Sequence, residues 1–408
     1  MSVAASLLIG VSSYLVRRIF ADTLPVEDFA ALYSLVAAGT LAVGIFRFGT
    51  AELVLFVLSG METPSAPGGK RLFTGVCLWN TGVFLLVTLA AGLFFTAGGR
   101  PAGIAVELPT LLLFLPFLFL TAFDQLFGNA CNALKAFGRQ YGVQVLKSAL
   151  MVVCAVWSCG MLNRAVLAYN VPLLISTAAV LIYLRRFFCP DVWRLRWRTG
   201  IKEHAGRCLW LWLFSFSPLI FNELATTILT GVNTPREVAF FNIAIPVAMI
   251  IRTFYCVAMV FVPFAGAMIN SADYRSLRRY IYAAMAAVAA LGVVLIPLFH
   301  WGGAWLIALL FGERFAAAAP AAFLLSEAML TAFHGQLCIN TLNTLGRERS
   351  SALITVAVAL TATAAYFPLS ARYGALGAAL GALMAAVLWS LLAHAVLMGA
   401  IRSRTAAR

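Results

Sequence analysis

The sequence predicts an all-α polytopic membrane protein: about twelve transmembrane helices, in two parallel six-helix lobes around a central cavity. Composition is the first of three observations behind this. Of 408 residues, 62% are hydrophobic and only 11% charged, with a mean hydropathy of +0.94. A soluble fold of this size has too little interior to hide that much apolar side chain. The second is segmentation. Apolar runs of the roughly 20 residues that a helix needs to cross a bilayer alternate with short polar breaks. They are too long for barrel strands and lack a period-two alternation. The third is repetition. Asn132-Ala-Leu-Lys-Ala-Phe-Gly-Arg139 returns as Asn340-Thr-Leu-Asn-Thr-Leu-Gly-Arg347, 208 residues on, and Pro25-Val-Glu27 returns as Pro235-Arg-Glu237, 210 residues on. One membrane unit written twice is a pattern of transporters.

The predicted spans are 2–20, 29–58, 73–97, 107–130, 140–161, 166–185, 208–231, 238–266, 279–302, 317–342, 351–369 and 374–400. Residues 2–20 lack a basic flank ahead and a small-residue cleavage site behind, so they read as a span rather than a leader. Gly60–Arg71, with Pro64, Pro67, Gly68 and Gly69, reads as a flexible turn. The longest polar stretch, 186–207, carries Arg186, Arg194, Arg196, Arg198, Lys202 and Arg207, just after Arg185. It divides the chain into an N-lobe (1–185, spans one to six), a basic cytoplasmic linker (186–207) and a C-lobe (208–408, spans seven to twelve). Gly374, Gly377 and Gly381 give the last span small faces for close packing.

Charge sets the orientation. Of the 29 Lys and Arg, nineteen fall on one side of the alternating spans, seven on the other, and three (Arg47, Lys147, Arg252) inside them. The positive-inside rule places the richer side, and with it both termini, in the cytoplasm. Six spans per lobe return the chain to the same side, so the repeats are parallel. The net charge of +14 is then topology plus attraction to anionic headgroups, not a nucleic-acid surface. The eight cysteines form no CxxC pair and the four histidines no HExxH-like spacing. No metal or other cofactor is expected. No Walker A motif is present, so transport would not be directly ATP-driven.

Phe20-Ala-Asp-Thr-Leu-Pro-Val-Glu-Asp-Phe-Ala-Ala-Leu-Tyr-Ser-Leu35 resembles the "PEDFG-LYSL" segment joining the first two helices of bacterial polysaccharide (O-antigen-type) flippases. These belong to the multidrug/oligosaccharidyl-lipid/polysaccharide exporter superfamily. Asn233-Thr-Pro-Arg-Glu-Val-Ala-Phe-Phe-Asn-Ile-Ala244 is similar to its second-lobe counterpart. Pro263, Phe311-Gly312, Leu345-Gly-Arg347 and Tyr373-Gly-Ala-Leu-Gly-Ala-Ala379 resemble further motifs of that family, in order along essentially the whole chain. Ala30 and Ala239 stand where the family has glycine. The resemblance implies a flippase that carries polyprenyl-diphosphate-linked oligosaccharide to the outer leaflet by alternating access, for polysaccharide or O-antigen biosynthesis. It also implies a bacterial inner membrane, membrane lipids and polysaccharide polymerase or assembly proteins as partners, and a monomer as a sufficient unit.

Candidate site residues follow from the cost of charge at membrane depth, at least ~2.5–3.5 kcal/mol per group. Arg252 lies mid-span, and a guanidinium is a permanently charged, multidentate phosphate donor. It contacts either the substrate diphosphate or an intramembrane carboxylate. Arg47, in the repeat-partner span, either joins it or marks a helix end. Arg17 and Arg18 either complete the set or snorkel to headgroups. The related lipid II flippases, with cavity arginines on helices one, two and eight, resemble this set. Lys147 pairs with Asp124 or Glu107, or takes part in ion coupling. Glu223, close after Pro218, and the lone acids Glu327 and Glu52 either couple an ion or make polar contacts between helices.

Two other classes are weighed. A multidrug or organic-cation antiporter of the same superfamily would want a carboxylate-dominated cavity. A membrane O-antigen polymerase or ligase would need a large external loop, and none is long enough.

Overall fold

The computed structural model describes residues 2–59, 67–99, 103–104, 106–189, 205–252 and 271–406, together with 261, 265 and 267–269. The described chain is helical, without strands. Eight of its helices are long and apolar enough to cross a membrane, nine if a broken pair around Pro218 counts as one span. Apolar side chains cover much of the outside: Trp301 is 82% and Leu93 71% exposed. Such a surface is at rest only against lipid. This is a multi-pass, all-α membrane protein.

The chain forms two compact units, Met1–Ser215 and Phe216–Arg408. The first contains α1 (Ser2–Thr23), α2 (Val26–Phe46), α3 (Thr50–Ser59), α4 (Pro67–Thr96), α5 (Leu108–Ala133), α6 (Phe137–Trp157), α7 (Leu162–Leu184) and α8 (Ala205–Ser215). Its middle is α5, packed on α2, α3, α4, α6 and α7. Leu53, Val54, Phe73, Phe123, Leu126 and Phe127 interlock there as a dense apolar cluster. Pro116 and Pro172 sit inside helices α5 and α7. Asn170 Nδ2 donates to the Leu113 carbonyl at 2.7 Å, tying α7 to α5 in the turn before Pro116.

The second unit contains α9 (Ala225–Val232), α10 (Pro235–Arg252), α11 (Tyr274–Phe311), α12 (Ala319–Thr344) and α13 (Glu348–Ala406). Helix α12 is its middle, packed on α10, α11 and α13. Asp273 caps α11 by accepting from Ser276 N at 3.0 Å. Hydrogen bonding from Ser276 holds this carboxyl below the usual carboxylate range. Helix α13 is two spans with a break at Gly374 (φ 58, ψ −133). A Cβ on Gly377 would lie 1.9 Å from the Leu369 carbonyl, and one on Gly381 2.6 Å from the Tyr366 ring. The small faces expected on the last span are therefore where it folds back on its predecessor.

The repeat shows in the turns, in a register that the octapeptides do not have. After α5 the left-handed residue is Lys135 (φ 54), and after α12 it is Gly346 (φ 75). In both, the following amide reaches back five residues: Ala136 N to Cys131 O at 2.9 Å and Arg347 N to Leu342 O at 3.0 Å. These caps are 211 residues apart, close to the Pro-x-Glu echo and three residues off the octapeptide alignment. A left-handed glycine also precedes the last span of each unit, Gly160 (φ 75) and Gly374. A Cβ on Gly160 would meet the Thr23 carbonyl, and one on Gly374 the Glu237 carboxylate.

Two expectations are corrected. Residues 67–71 are the first turn of α4, not a turn between spans, because Pro67 suits a helix N-terminus. The span expected at 29–58 is broken: Phe48 (φ 51) and Gly49 (φ 69) leave helical conformation between α2 and α3.

Candidate functional site

The break at 47–49 is built around Arg47, which is 6% exposed. One guanidinium nitrogen donates to Glu52 Oε1 at 2.5 Å and another to Gln125 Oε1 on α5. Gly49 is required, since a Cβ there would lie 2.6 Å from the Cys208 carbonyl on α8. Trp212 Nε1 on α8 donates to the carbonyls of Ile45 (2.9 Å) and Gly44 (3.2 Å). It thus satisfies acceptors that the end of α2 leaves exposed. Thr50 and Asn80 join side chains at 3.0 Å below them. Arg47 is thus a neutralised ion pair inside the first unit, and Glu52 is its counter-ion.

The first unit also holds a cavity of about 260 Å³. Helix α1 contributes Ser12, Ser13 and Arg17; α2 contributes Tyr33; α6 contributes Gln144 and Lys147; and α7 contributes Tyr169. None of its described lining residues is acidic. The Arg17 guanidinium lies over the Tyr33 ring, 4.9 Å from its centroid, and Tyr33 meets the Tyr169 ring edge-on at 6.4 Å. Stacking of this kind fixes the plane of the guanidinium against the ring. Lys147 stands ten residues into α6, about 15 Å along the axis and so near mid-membrane for a span of this length. Its Nζ pairs with Asp124 Oδ2 at 2.7 Å. Ser176 Oγ on α7 lies 3.4 Å from the other carboxylate oxygen. The pair is mostly buried, at 15% and 13% exposure. Asp124, rather than Glu107, is the partner of Lys147; Glu107 is exposed at the start of α5.

The other arginines go elsewhere. Arg18, next to Arg17 in sequence, points to a different side of α1 and pairs with Asp22 one turn on, at 2.7 Å. Neither Arg18 nor Arg47 lines the cavity. Arg252 is the last residue of α10, and its side chain lies outside the described residues, as does Pro263.

In the second unit, Glu223 lies in a π-helical turn, Ile220–Leu224. Tyr366 OH donates to the Ile220 carbonyl there at 3.0 Å. Glu327 on α12 faces Gly292 of α11, where a Cβ would come 2.8 Å from its Oε2, and its Oε1 is buried without a hydrogen-bond partner. Glu237, the acid of the second Pro-x-Glu, accepts the Ala375 N–H at 2.8 Å. It caps the final span. Sequence reasoning singled out both motifs without seeing that they meet. His334, Cys338 and His394 also come together here, their ligand atoms all within 4.8 Å of one another.

No family model matches the sequence, and no curated protein matches it. Solved structures do resemble the fold. An inward-facing multidrug resistance MATE family transporter of the MOP superfamily superposes with a TM-score of 0.74 at 16% identity, covering 97% of this chain and 96% of that one. The lipid II flippase MurJ, in an inward closed conformation, gives 0.71 at 10% identity, with 97% and 87% covered. The Vibrio cholerae MATE transporter VcmN, in its bent form, gives 0.62 at 16% identity, with 97% and 94% covered. At these identities the likeness establishes the fold that this chain shares with them.

Proposed function

We propose that this chain is a flippase that moves polyprenyl-diphosphate-linked oligosaccharide from the cytoplasmic to the outer leaflet by alternating access, serving polysaccharide or O-antigen assembly. The observation that carries this reading is the cavity of the first unit, with two cations and no acid among its described lining residues. A diphosphate needs such a wall when it leaves water, because charge-assisted hydrogen bonds then replace its hydration. Arg17 supplies a planar fork held by Tyr33. Lys147 supplies a point charge that exchanges Asp124 for phosphate, and Asp124 takes up the coupling proton as it is released. A cavity for organic cations would carry the opposite charge. The likeness to a lipid II flippase supports the same reading, while the likeness to MATE transporters supports the superfamily without choosing a cargo.

On this reading Arg252 is a further phosphate contact, and Glu223 and Glu327 are ion-coupling acids of the second unit. Arg18, Arg47 and Glu52 hold structure. Spans one to six (1–185) and seven to twelve (208–408) act as two lobes joined by the basic linker 186–207, with both termini in the cytoplasm of a bacterial cell. The chain works as a monomer in the inner membrane, beside the polymerase that uses its product.

The test is surface-glycan display in a strain deleted for this gene, rescued at matched membrane levels. Wild type restores display. Arg17→Ala lowers flux roughly ten- to a hundredfold, the equivalent of one lost hydrogen bond to a charged group, and lipid-linked glycan accumulates on the cytoplasmic face. Arg17→Lys, which keeps charge but loses the fork, is intermediate. If deletion leaves every surface glycan unchanged and instead raises sensitivity to cationic dyes, the cargo is a drug-like cation.

A further inference from the structure

We propose that the second unit holds a metal site, formed by His334, Cys338 and His394, that takes one zinc-class divalent ion. The expectation of no metal rested on spacing along the chain, and two of these donors are 56 residues or more from the third. The fold removes that separation. His334 and Cys338 are four apart on α12 and share a face, while His394 comes from the second arm of α13. The two helices approach closely at Gly335, where a Cβ would sit 3.3 Å from Ser390 Cα. His334 and Cys338 lie one residue before and three after Gly335, and His394 four after Ser390, which brings all three donor atoms within 4.8 Å of one another.

The geometry goes beyond proximity. Cys338 Sγ lies 3.6 Å from His334 Nε2. In a tetrahedral zinc site with bonds of about 2.0–2.1 Å to nitrogen and about 2.3 Å to sulfur, that edge is about 3.6 Å. The other ring nitrogen of His334 is engaged, with Nδ1 2.6 Å from Ser390 Oγ. This outer hydrogen bond is the kind that orients a ligating imidazole and leaves its second nitrogen for the metal. His394 is the counterpart. Its Nδ1 is buried with no hydrogen-bond partner, and its ring is set between His334 (5.4 Å) and Tyr282 (5.5 Å). His334 and Cys338 are 3% and 0% exposed, so neither can turn to water for a partner.

Donor chemistry chooses the ion. Two imidazoles and a thiolate suit zinc and exclude magnesium or calcium, which need oxygen. Binding converts the Cys338 thiol to a thiolate and releases its proton to solvent. Three protein ligands leave a fourth position for water or an anionic oxygen. The site shares no residue with the Arg17–Lys147 cavity and stands whether or not the flippase reading does.

The experiment uses the full chain, free of any histidine tag, purified in detergent and stripped with chelator. It is titrated with Zn²⁺ against a chromophoric competitor, and with Co²⁺ as a spectroscopic probe. The expected result is one equivalent of Zn²⁺, and a Co²⁺ form with tetrahedral d–d bands and a thiolate charge-transfer band. Cys338→Ser removes the charge-transfer band and weakens Zn²⁺ at least tenfold. His394→Ala, at the least buried donor and so the safest for folding, weakens it likewise while keeping the thiolate band. Cys159→Ser, at an exposed thiol, changes neither. The proposal is overturned if no tetrahedral spectrum forms, or if Cys338→Ser and His394→Ala bind as wild type does.

Discussion

Gly374→Ala is expected to lower the thermal stability of the protein strongly. Two effects coincide there. The backbone at φ 58, ψ −133 is open to glycine and strained for any residue with a Cβ, at about 1–3 kcal/mol. The added Cβ would also come 2.2 Å from Glu237 Oε2, the atom that accepts the Ala375 N–H. Moving that carboxylate uncaps the final span within an apolar environment, adding about 1 kcal/mol. The sum, on the order of 3 kcal/mol, belongs to the destructive tail of point substitutions. Gly399→Ala is the control, because a Cβ there meets nothing within 4 Å. Melting of both variants in detergent checks this. Equal melting temperatures would show that the Glu237–Gly374 contact contributes nothing to the fold.

Breaking the Lys147–Asp124 pair is the second large effect. Lys147→Met leaves a carboxylate 13% exposed with Ser176 as its remaining neighbour. Removing one partner of a buried pair costs about 3–5 kcal/mol, and the residual exposure puts this pair at the lower end. Asp124→Leu strands the ammonium in the same way. The double variant Lys147→Met, Asp124→Leu removes both charges and recovers most of the stability, so the two losses are strongly non-additive. Transport separates structure from function. If Lys147 meets the diphosphate, the double variant folds and still fails to rescue glycan display. Additive losses would mean that the pair is not coupled, and full rescue by the double variant would mean that Lys147 only balances Asp124.

The order of the described helices could be read from apolar runs, because a bilayer admits few alternatives to a helix of about 20 residues, but not every length: the span expected at 279–302 is the 38-residue α11. The breaks could not be read. Arg47-Phe48-Gly49 sits inside a run that hydropathy treats as continuous, and only α8, arriving from more than 150 residues away with Trp212, explains why the chain can stop hydrogen bonding to itself there. The site was half visible. Charge inside or at the end of a span singled out Arg17, Arg47 and Lys147, and offered Asp124 as one of two partners for Lys147, but did not say which arginine would line a cavity. Arg17 and Arg18 are neighbours with equal claims in sequence. The helical angle between them sends one over Tyr33 and the other to Asp22. The Pro-x-Glu echo and the glycines near 374 were both noticed, yet their contact joins positions 138 apart. His334, Cys338 and His394 stayed hidden for the same reason, as donors from two helices leave no local spacing.

The most direct test of the proposed function is reconstitution. Purified protein is placed in proteoliposomes carrying a polyprenyl-diphosphate oligosaccharide in one leaflet, and its appearance in the other is followed with a membrane-impermeant lectin or glycosidase. The flippase reading requires that wild type moves the lipid, that Arg17→Ala slows it at least tenfold, and that inorganic diphosphate competes. If the lipid stays in its leaflet while the same vesicles take up or expel a cationic dye, and Arg17→Ala leaves dye transport unchanged, the cationic cavity is not a diphosphate site and the chain is an exporter of another cargo.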